Sequence, residues 1–493
     1  MNTVAEMIKP IPGPFFTVLI GYFVLMAVIG YVSARQTNNL KDFFVMSGKA
    51  GAIVAGFAYF STQYSMSTFM GVPASCYKAG FSGLSISVPG VAFSIILPAI
   101  FVGRKLMQLG HKNGFLTLAD YIADRYESKG LRTMQALLMI LFLIPMMGAQ
   151  TIGAGLILRT YTGLPEWVGI VAMGIIVIMY CMTGGIRGAM LTDVIQGGLM
   201  VATAIVTFVV SVKLGGGMEA ITSKLAQMNP EYLTHPGVGK LYGYRNYVSQ
   251  ILLWSFFSIG QPALCTKFFT MKNHRVLFKA VILGSLGMCF AATLIEWSGT
   301  NAIVSIAGLK GKDIDFVVPL ILQRAVSPVI SSLLIAGIMA AGMSSIDSYL
   351  ISSTGAITRD IYQSIINPQA TDKDVLRLSR WVTVIVGCIA IFFGVSRPAA
   401  IFDIILFSYG GLGIWATPML WGIYWKGATK LGAYAGVLVG EAVYLYITLA
   451  AKQLAFGFHP LIPAWIVSMA AMWIVSLVTP KLSKETIARH FAA

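Results

Sequence analysis

Charge is scarce in this sequence: Asp, Glu, Lys and Arg make up 11% of its 493 residues, while 57% are hydrophobic. Soluble globular domains carry roughly 25% charge, so water is not the main solvent of this chain. Cysteine is also sparse. Cys76, Cys181, Cys265, Cys289 and Cys388 sit mostly inside apolar runs without metal-type spacing, which excludes a disulfide framework and a zinc site and leaves them as small core residues. There is no His-Glu-x-x-His motif, no intramembrane histidine cluster and no nucleophile–base pair, so a membrane enzyme is not indicated. Nucleotide-binding motifs are missing too, and Gly215-Gly-Gly217 reads as a turn, so ATP does not drive this chain directly. Lys and Arg outnumber Asp and Glu, giving a net charge of +16, but they are scattered over short loops with no basic face, which argues against nucleic acid.

What is present is a succession of long apolar runs over the whole length. A helix needs about 20 apolar residues to cross the hydrocarbon core. By that criterion thirteen spans are expected, near 15–34, 51–75, 82–103, 133–159, 166–184, 191–213, 246–265, 279–305, 328–355, 380–396, 401–425, 431–450 and 461–479. The fold expected is all-α and integral to the membrane, a single transporter domain over 1–493. The first run lacks a small-residue cleavage site and reads as a retained helix. Alternate loops hold most of the basic residues, among them Arg35, Lys41, Arg104, Lys105, Arg187, Lys267, Arg275, Arg377 and Lys481. Because Lys and Arg stay on the cytoplasmic side, the N-terminus is expected outside, in the periplasm of a bacterial inner membrane, and the C-terminus in the cytoplasm.

Irregular backbone at mid-membrane depth is tolerated only where it is buried or lines a cavity, so helix breaks point to sites. The second span carries seven hydroxyl or amide side chains between Ser61 and Thr68. In the seventh, Gly260 loosens the helix and Pro262 removes a donor. The ninth contains Ser344, Ser345, Asp347 and Ser348 among Ala, Gly and Ile, and an acidic residue there needs a partner or water. Single hydroxyls in membrane helices usually serve packing; clusters of this density do not. The second and seventh spans are five apart, the spacing of an inverted five-helix repeat, with halves at 51–213 and 246–425.

At these residues the chain resembles the sodium:solute symporter family over nearly its whole length. The resemblance is carried by Lys41-Asp-Phe-Phe-Val-Met-Ser-Gly48, Thr117-Leu-Ala-Asp-Tyr121 with Arg125-Tyr126, and Thr183-Gly-Gly-Ile-Arg-Gly-Ala-Met-Leu-Thr-Asp-Val-Ile-Gln196. Gly260-Gln-Pro262 and Ala340-Ala-Gly-Met-Ser-Ser345, leading into Thr358-Arg-Asp-Ile-Tyr362, complete it. It implies a LeuT-type fold with a 5+5 inverted-repeat core and solute uptake driven by the sodium gradient. It also implies a sodium ion held by the carbonyls of Ser61 and Tyr64 with Ala341, Ser344 and Ser345, and Asp193 on the ion's exit path, where a helix N-cap is the alternative. Hard cations prefer oxygen ligands, and this set supplies them without a carboxylate.

Within the family the chain is most similar to sodium/pantothenate symporters, through Phe69–Gly80, Pro230–Pro236 and Gly457–Pro463, though it departs from them at Gln63 and Tyr64. The expected substrate is a small carboxylate-bearing solute, pantothenate among the candidates; proline, sialic acid or a monocarboxylate are alternatives. Gln63, Ser65, Trp254, Ser258 and Gln261 are the candidate solute-binding residues, Trp254 by likeness to a substrate-proximal tryptophan of proline-transporting relatives. A sensor on the same scaffold would carry a signalling extension after Pro480, and proton coupling would use Asp347. The partners expected are solute, sodium and lipid, with no obligate protein partner.

Overall fold

The computed structural model describes residues 4–37, 39–84 and 93–491, and part of the expected third span, 85–92, lies outside them. Ten helices among the described residues are long and apolar enough to cross a bilayer, and Tyr244–Gly260 with Pro262–Thr270, meeting at 53°, adds one broken span, the seventh in chain order; Ile401–Tyr424 is the eleventh. Two more complete the thirteen. Ala52–Gln63 continues, after an interruption, into the π-helical turn Ser67–Gly71 and Val72–Ala79, and is the second span. Glu166–Gly215 supplies two spans, because its 50 residues would stretch about 75 Å as one rod.

Gly185 is where that long segment breaks, at φ 56° and ψ −152°, a conformation that glycine adopts without a Cβ penalty. Contacts at the two ends show that the chain reverses there. Glu166 accepts from Arg159 at 2.8 Å, and Gln323 donates to the Thr160 carbonyl at 2.9 Å. The neighbouring Arg324 donates to Ser305 at 3.1 Å, beside Val304, which packs near Gly215. Residues 166 and 215 therefore lie at one face of the bundle.

The same contacts order the termini. Ile11 N–H donates to the Tyr161 carbonyl at 2.7 Å, at the end of the fourth span, Lys129–Thr162. Arg489 and His490 pair with Asp124 at 2.8 Å, beside the start of that span. About 50 Å of helix separates these points, so the two termini lie at opposite faces, as an odd number of spans requires.

The surface of the bundle is apolar and its interior carries polar groups. Ile20, Val24, Leu286, Phe290, Trp381, Phe392 and Val478 face outward, whereas Ser61 to Gly71 and Ala340 to Leu350 are buried without exception. That is the inverse of a soluble protein and suits a hydrocarbon solvent. The loop motifs at 117–126 and 358–362 tie the C-terminal face together. Arg125 donates to the Gly422 and Trp425 carbonyls at 2.7 and 3.0 Å, and the Tyr126 hydroxyl to Pro418 at 2.6 Å. Asp360 accepts from the Thr117 hydroxyl at 2.8 Å, and Arg132 pairs with Asp120.

Candidate ion and solute site

The first break is centred on Tyr64, whose ψ of 89° ends the helix of Ala52–Gln63. An interruption frees backbone groups that must find partners in a dry interior. The amide of Met66 donates to the Gln150 side chain at 2.7 Å, that of Ser65 to the Thr68 hydroxyl at 3.4 Å, and that of Ser67 to the Ser65 hydroxyl at 3.3 Å. On the carbonyl side the ninth span supplies the partners. The Ser344 hydroxyl donates to the Ser61 carbonyl at 2.9 Å and the Ser345 hydroxyl to the Thr62 carbonyl at 3.1 Å, and both lie 3.1 Å from the Ala341 carbonyl.

Four of the five residues expected around the ion thus converge: Ser61, Ala341, Ser344 and Ser345. Tyr64 stands at the break, with its ring stacked on Phe60 and edge-on to Phe69, and the carbonyl facing Ser345 is that of Thr62. Thr62, two residues before the break, was missed because residue type does not mark which carbonyls a break releases. Its hydroxyl also meets that of Ser348 at 2.8 Å. The oxygens gathered here are uncharged carbonyls and hydroxyls, a donor set that fits a small hard cation.

Beside this cluster lies a buried charge group. Asp193 is fully buried and accepts from Lys267 Nζ at 3.2 Å; the same ammonium donates to the Ala58 carbonyl at 2.8 Å. Asp193 sits well inside a helix, which removes the N-cap reading. The expectation that Lys267 is a cytoplasmic loop cation is likewise corrected, because it is 1% exposed on the second half of the broken seventh span. Asp347 accepts from the Tyr180 hydroxyl and the Ser348 hydroxyl, each at 3.1 Å.

The second break falls at Gln261. Pro262 has no N–H for the Ser258 carbonyl. The Cys265 thiol takes that place, reaching the Ser258 and Ile259 carbonyls at 3.6 and 3.2 Å. A Cβ on Gly260 would lie 2.5 Å from the Leu412 carbonyl, so only glycine lets the eleventh span approach here. Trp254 is 4% exposed, packed edge-on against Phe257 and Tyr409, and is neither lipid-facing nor interfacial. Ser258 donates to the Ser94 carbonyl at 2.9 Å. Gln63 and Ser65 belong to the first break and Trp254, Ser258 and Gln261 to the second, without a hydrogen bond between the two groups among the described residues. Several buried polar atoms around both breaks have no protein partner, including Gln63 Nε2, Ser255 Oγ, Gln261 Oε1 and Trp415 Nε1. A polar solute would satisfy such atoms.

Two cavities flank this layer. One, of about 360 Å³, opens on the N-terminal face and is lined by Gly71, Ser75, Lys78, Gln250, Asp315 and Phe402, among others. A small cavity of about 20 Å³, roughly the room one water molecule needs, is lined by Ser348, Pro262, Lys267, Thr117 and Asp360. Asp315, in the loop beneath the eleventh span, is pushed up to about 6 by burial, against the pull of Arg397.

The model of the sodium:solute symporter family matches residues 43–440. The chain belongs to the sodium:solute symporter family. Membership makes this symporter a multi-pass membrane transporter that couples solute movement to sodium, and not an enzyme. It is 27% identical to the sodium/pantothenate symporter of Haemophilus influenzae over 94% of both chains, and 27% identical to that of Escherichia coli over 95% of this chain and 97% of the other. The osmoregulated proline transporter OpuE of Bacillus subtilis is 24% identical over 94% and 95%. A substrate-bound, outward-open Na+-coupled sialic acid symporter superposes with a TM-score of 0.82 at 21% identity, covering 96% of this chain and 99% of that one. Mhp1, a nucleobase-cation-symport-1 family transporter, gives 0.59 at 14%, over 92% and 98%. These likenesses place the symporter in the LeuT-type fold class that its family resemblance implied.

Proposed function

We propose that the symporter imports a small carboxylate-bearing solute, pantothenate foremost, with sodium held at the first break. One observation carries the ion assignment: the hydroxyls of Ser344 and Ser345 meet two backbone carbonyls that the break at Tyr64 releases. In this reading Ser61, Tyr64, Ala341, Ser344 and Ser345 provide the sodium oxygens, Thr62 joins them, and Asp193 marks the way out. Gln63, Ser65, Trp254, Ser258 and Gln261 face the solute, supported by unpartnered polar atoms and by the layer's place between the two cavities.

The pantothenate reading is supported by whole-length similarity to two symporters of that name. The bundle divides into inverted repeats at 51–213 and 246–425, with the N-terminus periplasmic and the C-terminus cytoplasmic. Lys and Arg in the loops on the C-terminal face support that orientation. Uptake of labelled pantothenate into proteoliposomes under an inward sodium gradient tests the proposal. Accumulation with sodium and none with potassium is expected; equal uptake in both salts would transfer the coupling to protons. Sodium-driven uptake of proline or sialic acid with pantothenate ignored would retain the mechanism and replace the solute.

A further inference from the structure

Lys267 is not used by the ion site as described, yet it is among the least affordable groups in a membrane interior. An ammonium at this depth persists only where it is paired or functional. Its ammonium donates to the Asp193 carboxylate at 3.2 Å and to the Ala58 carbonyl at 2.8 Å. Those partners, one carboxylate oxygen and one main-chain carbonyl, are of the kind that would hold a small metal cation. The Ala58 carbonyl also accepts from the Ser61 hydroxyl at 3.3 Å, which ties the ammonium directly to the sodium cluster.

Occupancy sets the number of free cations this region takes. Asp193 is fully buried, and among the described residues Lys267 is the one fully buried lysine, with its ammonium on that carboxylate. Asp347, the neighbouring buried carboxyl, is met instead by the hydroxyls of Tyr180 and Ser348. With the ammonium seated between Asp193 and the Ala58 carbonyl, the position beside that carboxylate is filled, and the serine cluster is left as the place for a single sodium. We propose that Lys267 is a tethered cation occupying a second cation site, formed by Asp193 and the Ala58 carbonyl, and thereby sets the stoichiometry at one sodium per transport cycle.

The position of the side chain gives the tethered ion a second consequence. Lys267 lines a small cavity together with Ser348, Thr117 and Asp360. It rides on Pro262–Thr270, the segment bent by 53° from the rest of its span. Displacing the ammonium from Asp193 would open that carboxylate to an ion from the serine cluster. The lysine thus competes with sodium for Asp193 without crossing the membrane.

This inference rests on the sodium assignment, and equilibrium binding of radioactive sodium to the purified full chain separates the two. Wild type is expected to bind one sodium ion per chain with a Hill coefficient near one. Lys267→Met, which keeps the apolar stem and removes the charge, is expected to bind two with a Hill coefficient approaching two. Lys267→Met/Asp193→Asn, which removes both charges, is expected to return to one. No sodium binding by wild type would overturn the site itself; one ion in both wild type and Lys267→Met would overturn the tethered-cation role and leave the site standing. If Lys267→Met does not reach the membrane, wild type decides, because two sodium ions bound with Lys267 present would refute the proposal.

Discussion

Replacing Ser344 or Ser345 with alanine is the perturbation that bears most directly on the ion site. Each change deletes one oxygen from a fully buried position and alters side-chain volume by a single atom. Ser344 Oγ is one of the two hydroxyls placed 3.1 Å from the Ala341 carbonyl, and it alone reaches Ser61, at 2.9 Å. Removing a partner from a buried polar group costs about 1–3 kcal/mol. With 1.4 kcal/mol per factor of ten, the sodium concentration giving half-maximal uptake should rise roughly 5- to 150-fold. The helix itself should persist, because alanine is the better helix former. The assay is the sodium dependence of solute uptake in proteoliposomes at equal protein density, with sodium binding measured in parallel. Sodium curves that superimpose on wild type for both variants would refute the assignment of these hydroxyls to the ion.

Replacing Trp254 by Phe should shift apparent solute affinity by more than sodium affinity, since the ring lies against Phe257 and Tyr409 and away from the serine cluster; an unchanged solute dose response would return Trp254 to packing. Sodium and solute should bind with positive coupling of about 1–3 kcal/mol, because the same break orients Ser61 and Thr62 on one side and Gln63 and Ser65 on the other. Calorimetry of solute binding in sodium and in potassium at equal ionic strength checks this, and equal affinities would contradict it. Asp315→Asn should stabilise the protein at alkaline pH. The folded-state pKa of about 6 exceeds the 3.8 of a free aspartate, so stability falls as pH climbs through that window, by on the order of 3 kcal/mol at 1.4 kcal/mol per unit. Thermal unfolding at pH 8 and pH 4 measures the difference, which should vanish at the lower pH; equal gains at both would rule out ionisation as the cause.

Most of the spans were legible in the sequence because membrane insertion sums apolarity over about 20 consecutive residues, a property of local composition; the third, expected at 82–103, lies partly outside the described residues, and its described helix is Phe93–Asn113. The two breaks were legible as well, since Gly260 with Pro262 and the run of polar side chains from Ser61 to Thr68 cannot form an ordinary lipid-facing helix. The serine pair stood out for the same reason. Which groups those elements meet was decided by the tertiary structure alone. Ser344 reaches Ser61 across 283 positions, Gln150 caps the Met66 amide across 84, and Lys267 finds Asp193 across 74. No local window contains both partners of such a pair. Lys267 shows the consequence: between apolar spans a lysine reads as a loop cation, and only the bend at Gln261, which turns its segment into the bundle, carries it to the buried carboxylate. Thr62, and not Tyr64, faces Ser345 for a similar reason, because the direction of a carbonyl at a break follows from backbone angles and helix packing and leaves no trace in residue type.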